Sequence, residues 1–160
     1  MRILKHLLLP DWLVMRAFSS ADLNRIEEAI EASETQHDGE LRFVVEAGLP
    51  LGFLRRPTRT RAEALFSELR VWDTENNSGV LIYVELVDRR IEIVADRGIS
   101  AKVAQSEWTA ICHTMQDAFS KKQFLSGSVE GISSITTLLA RHFPPRGRNP
   151  NELTDKPSVL

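Results

Sequence analysis

A single cysteine, Cys112, stands in 160 residues, so no disulfide can form within the chain. That excludes a disulfide-held scaffold and makes a reducing, cytoplasmic setting the simpler expectation. Charge of one sign is also lacking: Lys and Arg number 20, Asp and Glu 22, and the net charge is −2. A strongly basic surface for nucleic acid is excluded on that balance, so no nucleic-acid partner is expected. No apolar run approaches the roughly 20 residues that span a bilayer, so no transmembrane segment is predicted. Internal repeats and low-complexity stretches are missing too. What remains, 42% hydrophobic and 26% charged residues, is the composition of one globular domain.

Catalytic signatures are equally scarce. No Gly-x-x-x-x-Gly-Lys-Ser/Thr is present, which excludes a P-loop, and no Gly-x-Gly-x-x-Gly follows a strand. Gly127-Ser128-Val129-Glu130-Gly131 has glycines around a serine, but the serine is misplaced for a nucleophile elbow and no strand precedes it. His6, His37, His113 and His142 are scattered without zinc-site spacing. Cys112 shares a helical face with Trp108 and Met115 and reads as a core thiol. A phosphatase-type Cys-x5-Arg loop would need arginine where Ala118 stands. No catalytic residue can be assigned.

Periodicity supplies the fold. The opening Met1–Pro10 has a basic start and a short apolar stretch, but no small-x-small cleavage site follows, and it is expected to stay with the domain. Residues 1–18 carry Leu7, Leu8, Leu9, Trp12, Leu13 and Val14. They read as an N-terminal arm packed on the domain, or as a segment that meets a protein partner or a membrane surface. Ser19-x-x-Asp22 opens a first helix with Leu23, Ile26 and Ile30 at helical spacing. Leu41, Phe43 and Val45 alternate with Arg42 and Glu46 in a first strand, 41–47. A Gly-, Pro- and Arg-rich loop precedes a second helix opening at Thr60-x-x-Glu63. Its basic cluster Arg55, Arg56, Arg59 and Arg61 is a solvated loop and helix end, or an anion site at a helix N-terminus.

Val80-Leu81-Ile82-Tyr83-Val84 is nearly continuous in apolar residues, as in a strand covered on both faces. Asp88-Arg89-Arg90 turns the chain into an alternating third strand through Ile91, Ile93 and Ala95, with a loop longer than a two-residue turn. Ser106 opens a helix carrying Trp108, Ile111, Cys112, Met115 and Phe119, and Ser126 or Ser128 opens another that Pro144-Pro145 ends. The order α-β-α-β-β-α-α predicts a three-layer α/β/α sandwich: a small mixed sheet built from a βαβ crossover plus a β-hairpin. The arm covers residues 1–18, the domain 19–144, and a flexible C-terminal tail 145–160.

The loop Trp72–Gly79 concentrates oxygen-bearing side chains. Asp73, Glu75 and Asn77 alternate, with Asn76 between them, as ligands do in calcium loops. It is not an EF-hand, since the position of the bidentate Glu is Val84. The same residues also suit a polar turn with Asn-Ser-Gly at positive φ. The hairpin returns Asp96 to this end of the sheet, and Asp38 and Glu40 reach it ahead of the first strand. Asp73, Glu75, Asn76, Asn77 and Asp96 are therefore the candidate metal ligands, for Ca²⁺ or Mg²⁺ held weakly.

Val71-Trp72-Asp73-Thr74-Glu75-Asn76-Asn77-Ser78-Gly79-Val80-Leu81-Ile82-Tyr83-Val84, followed by Asp88-Arg89-Arg90-Ile91-Glu92-Ile93-Val94-Ala95-Asp96-Arg97-Gly98-Ile99, resembles the bacterial branch of the TPM-domain family. The resemblance spans roughly residues 16–144. It implies a small α/β/α sandwich. It also implies weak metal-dependent acid phosphatase activity as in plant members, calcium binding as in some bacterial members, and accessory roles near membrane complexes. The family's shared positions correspond to Asn77 with Gly79, Asp88 with Arg89, and Asp96 with Gly98; Ser78 here separates an asparagine and glycine that many members place side by side. Two functions follow from the resemblance: a divalent-cation-binding accessory module acting with a protein or membrane partner, or a weak phosphatase using the same acidic cluster.

Overall fold

The computed structural model describes residues 12–147 and 150–160. Residues 1–11 of the expected arm lie outside them. The rest of the arm forms a short helix, α1 (Trp12–Ala17), which buries Val14 and is followed by the buried Phe18. Helix α2 (Ser20–Glu34) starts as its sequence predicts: the Ser19 hydroxyl accepts the Asp22 N–H while the Asp22 carboxylate accepts the Ser19 N–H. Ile26 and Ile30 face the core.

Strand β1 (Glu40–Glu46) leads through a 3₁₀ turn at Leu51–Phe53 to helix α3 (Thr58–Glu68), then strand β2 (Gly79–Glu85) and strand β3 (Arg90–Ala95). Helices α4 (Arg97–Ser100), α5 (Gln105–Ser120) and α6 (Phe124–His142) follow, and a two-residue strand β4 (Ser158–Val159) closes the chain. The sheet order is β3-β2-β1-β4, with β1 parallel to β2 and β4, and β2 antiparallel to β3. Alternation then divides the core. Leu41, Phe43, Val45, Val80, Ile82 and Ile93 face α2, α5 and α6; Val44, Leu81, Tyr83 and Val94 face α3. Both faces are covered, which makes a three-layer α/β/α sandwich.

Helix starts differ from the sequence pattern at three places. Helix α3 begins at Thr58 after Pro57, whose φ of −58° already suits a helix and whose missing N–H loses no bond there. Ser106 sits inside the first turn of α5, and Ala104 takes the cap position without a side-chain bond. Helix α6 begins at Phe124, ahead of Ser126 and Ser128, because Phe124 packs against Phe119 and Phe18 at ring distances of 5.2 and 5.6 Å.

The C-terminal stretch is the largest departure. Expected as a flexible tail, it returns along the free edge of β1. The Arg42 guanidinium donates to the carbonyls of Thr154 and Lys156 and to the Ser158 hydroxyl, each at 2.7 Å. The Ala47 N–H donates to the Leu160 carbonyl, and the Leu160 N–H to that of Val45. Edge pairing and buried charge, neither of which has a periodic signature, hold it in place.

Candidate functional site

The loop from α3 to β2 enters the sheet where β1 and β2 begin and β3 ends, since Glu40 pairs with Gly79 and Val80 with Ala95. Its shape is set locally. The buried Thr74 hydroxyl accepts the Ser78 N–H at 2.9 Å, and the Thr74 carbonyl accepts the Asn77 N–H at 3.2 Å. Asn77 takes φ of 50°, a left-handed conformation that asparagine tolerates. The Ser78 hydroxyl donates to the Asp38 carbonyl, tying the loop to the start of β1. At Gly79 a Cβ would stand 1.9 Å from the Val71 carbonyl oxygen, so only glycine can open β2.

Asp96 lies opposite. Its Oδ1 accepts the Arg97 N–H at 2.7 Å and caps α4. Its Oδ2 is buried and has no hydrogen-bond partner among the described residues. The Arg97 side chain donates to Asn77 Oδ1 at 3.0 Å, and the Gly98 N–H to the Asn77 carbonyl at 3.1 Å. A Cβ on Gly98 would come within 2.6 Å of the Asn77 carbonyl oxygen and 2.7 Å of that of Asn76. Two backbone oxygens thus crowd the turn that carries the orphan carboxylate oxygen.

Of the five candidate ligands, the fold brings Asn76, Asn77 and Asp96 together around Gly98. Asp73 is half exposed and its carboxylate meets Arg70 at 2.6 Å. Glu75 is exposed, and its N–H donates to the Glu152 carboxylate. Among the described residues, no three Asp, Glu, His or Cys side chains stand where they could hold one metal ion together. The oxygens nearest Gly98 are the carbonyls of Asn76 and Asn77, with Asp96 two residues before it in the chain; carboxylate and carbonyl oxygens are hard donors, of the kind that suits Ca²⁺ or Mg²⁺ rather than Zn²⁺.

The C-terminal segment contributes to the same end of the sheet. The Glu40 carboxylate accepts the N–H groups of Glu152 and Leu153, and the Asp38 carboxylate that of Arg146. Burial pushes Glu40 up to about 7, against the pull of those two N–H donors. Glu34, beside Asp155, is pushed up to about 9, mainly by burial and further by the charges of Glu40 and Asp155. The sequence offered one faint signal of this docking: Leu153 and the β-branched Val159 in an otherwise polar stretch.

A mixed open sheet between helical layers, with a loop of oxygen donors where its parallel pair begins, defines a small α/β/α domain class. The TPM-domain family profile matches residues 15–138, and the chain belongs to the TPM-domain family. The NMR structure of the BA42 protein from the psychrophilic bacterium Bizionia argentinensis is similar, with a TM-score of 0.80 and 28% identity over 89% of this chain and 95% of that one. The solution structure of the N-terminal domain of a P. gingivalis protein has a TM-score of 0.66 at 18% identity, covering 92% of this chain and 100% of that domain, and its likeness is one of fold. No curated protein matches the sequence. No helix among the described residues is long and apolar enough to cross a membrane.

Proposed function

We propose that this TPM domain is a divalent-cation-binding module whose site lies between the Asp73–Gly79 loop and the start of α4. The observation that carries the reading is Asp96 Oδ2, a buried carboxylate oxygen without a partner among the described residues. Burying such an oxygen unpaired costs several kcal/mol in general, and a cation is one way to offset that. Asp96, with carbonyl oxygens of Asn76 and Asn77, would hold the ion; Asp73 and Glu75 would join it by turning from Arg70 and from solvent. The cation would supply positive charge that ties the loop to the end of β3. With so few carboxylates, binding is weak, on the order of 10⁻⁴ M or weaker. Such a site suits an accessory role toward a protein or membrane partner in a cytoplasmic setting, since what its donors do is tie one loop to the end of β3.

Asp96→Asn is the discriminating variant, because asparagine keeps the cap to the Arg97 N–H and removes the charge. NMR titration with Ca²⁺ and with Mg²⁺ should move the amides of Asn76, Asn77 and Gly98 in the wild type and leave them unmoved in Asp96→Asn. Amides unmoved in the wild type at 10-fold excess over about 10⁻³ M ion would end the proposal.

A further inference from the structure

At the opposite end of the parallel pair lies a second feature, independent of the cation site. Helix α1, the β2–β3 turn and the α5–α6 junction border a half-open cavity of about 460 Å³, within the range of about 300–1,000 Å³ usual for small-ligand sites. Leu13, Leu86, Phe119 and Phe124 give it apolar walls. Arg16, Arg89 and Lys122 also line it, and none of the three has an ion-pair partner among the described residues. The acidic group at the cavity, Glu85, has its two oxygens engaged by the N–H groups of Val87 and Asp88.

We propose that this cavity binds an amphiphilic anion, a carboxylate or phosphate carried on an apolar chain or ring. The apolar walls accommodate the chain, and the cations on three separate elements meet the headgroup. Backbone conformation separates this reading from a purely structural one. Arg89 has φ of 55° and Lys122 φ of 61°, conformations that cost long side chains such as these and suit glycine. Lys122 follows α5 where helices commonly place glycine, its N–H donating to the Phe119 carbonyl. Folding alone therefore favours glycine at both positions, whereas headgroup binding requires the long cations that stand there.

The test uses the full chain with octanoate, octyl phosphate and neutral octanol, followed by NMR shifts of the Leu86, Phe119 and Phe124 amides and by calorimetry. Both anions should bind at the cavity, and octanol at least tenfold more weakly; the tighter anion identifies the headgroup. Arg89→Gly and Lys122→Gly should melt at or above the wild-type temperature, yet each should weaken the anions by about tenfold, the usual worth of one charge-assisted hydrogen bond. Octanol binding as tightly as the anions would overturn the proposal. So would stable glycine variants with wild-type affinity, or no shift at these amides with either anion.

Discussion

Glu46, Arg61 and Tyr83 meet beneath α3 with almost no access to water. The Glu46 carboxylate accepts the Tyr83 hydroxyl at 2.5 Å and Arg61 at 2.8 and 3.2 Å. Burial, with the Glu46 charge beside it, holds the Tyr83 phenol protonated well above its usual range. Removing one member leaves a buried polar or charged group short of a partner. Tyr83→Phe should cost about 1.5–3 kcal/mol in denaturant melts. Glu46→Leu should cost about 3 kcal/mol, at the low end for a broken buried pair, since Glu68 lies 3.4 Å from Arg61 and partly replaces it. The double variant Glu46→Leu with Arg61→Met should lose less than the two single variants together; a simple sum would mean that the pair does not interact. None of this was legible in the sequence. Arg42 and Glu46 alternate with the apolar residues of β1, and nothing local in the sequence names what buries them both. Their covers, Arg61 and the C-terminal segment, lie far along the chain, and long-range partners leave no local trace. The apolar run Val80–Val84, by contrast, announced a doubly covered strand, because both of its neighbouring layers demand the same residue type.

Helices α5 and α6 pack where small residues let them approach. A Cβ on Gly127 would stand 2.7 Å from the Ala118 Cβ, and one on Gly131 2.4 Å from the Met115 sulfur. Met115 can give way through its flexible side chain, but the Ala118 Cβ moves only with its backbone. Gly127→Ala should therefore destabilise the protein by about 1 kcal/mol, although alanine alone would favour a helix by a similar amount. A Tm above the wild type would show that the helices part without loss. Phe119 marks where the helical stripe leaves the interior: it is partly buried, packing edge-on against Phe18 at 6.0 Å. Phe119→Ala should cost about 2–3 kcal/mol, below the figure for a fully enclosed phenylalanine. The stripe Trp108, Ile111, Cys112 and Met115 was legible as a core face because a 3.6-residue period points those side chains at one sheet. The start of α2 was legible too, but those of α3 and α6 were not, because a proline and a phenylalanine cluster outweighed the threonine and serines expected to mark them. At the candidate site, Asn77 and Asp96 could be placed from the hairpin alone. The pairing of Asp73 with Arg70, and the left-handed φ of 54° at Arg70, are announced by no local motif.

Across the whole molecule, buried ionisable groups make stability depend on pH, and the sign follows from each shift. His37 is fully buried and its folded pKa is lowered by burial to about 4 from an ordinary 6.5. It thus contributes stability that is complete above 6.5 and lost as pH falls toward 4. Glu34, Glu40 and Glu85 are raised, by burial first, from 4.5 to about 9, 7 and 7. A raised carboxyl holds its proton longer in the folded state, so its contribution is present below 4.5 and lost as pH rises through the folded value. Above pH 7 the His37 contribution is complete, and Glu34 governs the window up to about 9. Ionising Glu34 sets it against Asp155, which belongs to the C-terminal segment clipped over β1, so alkaline loss should begin there. Between pH 6.5 and 8.5 Tm should fall by roughly 3–6 °C, allowing for partial solvent screening of Glu34. Glu34→Gln separates this cause from others. Its amide oxygen can still accept the Leu41 N–H, as Glu34 Oε1 does at 2.7 Å, and its NH₂ can donate to Asp155 as the protonated acid would. The variant should match the wild type near pH 6 and lose at most about half as much Tm by pH 8.5. Hydrogen exchange adds a local reading, because the Leu160 N–H donates to the Val45 carbonyl and reports the clip directly. Its protection should fall with rising pH in the wild type and hold in Glu34→Gln. Equal slopes in both proteins would place the alkaline loss elsewhere.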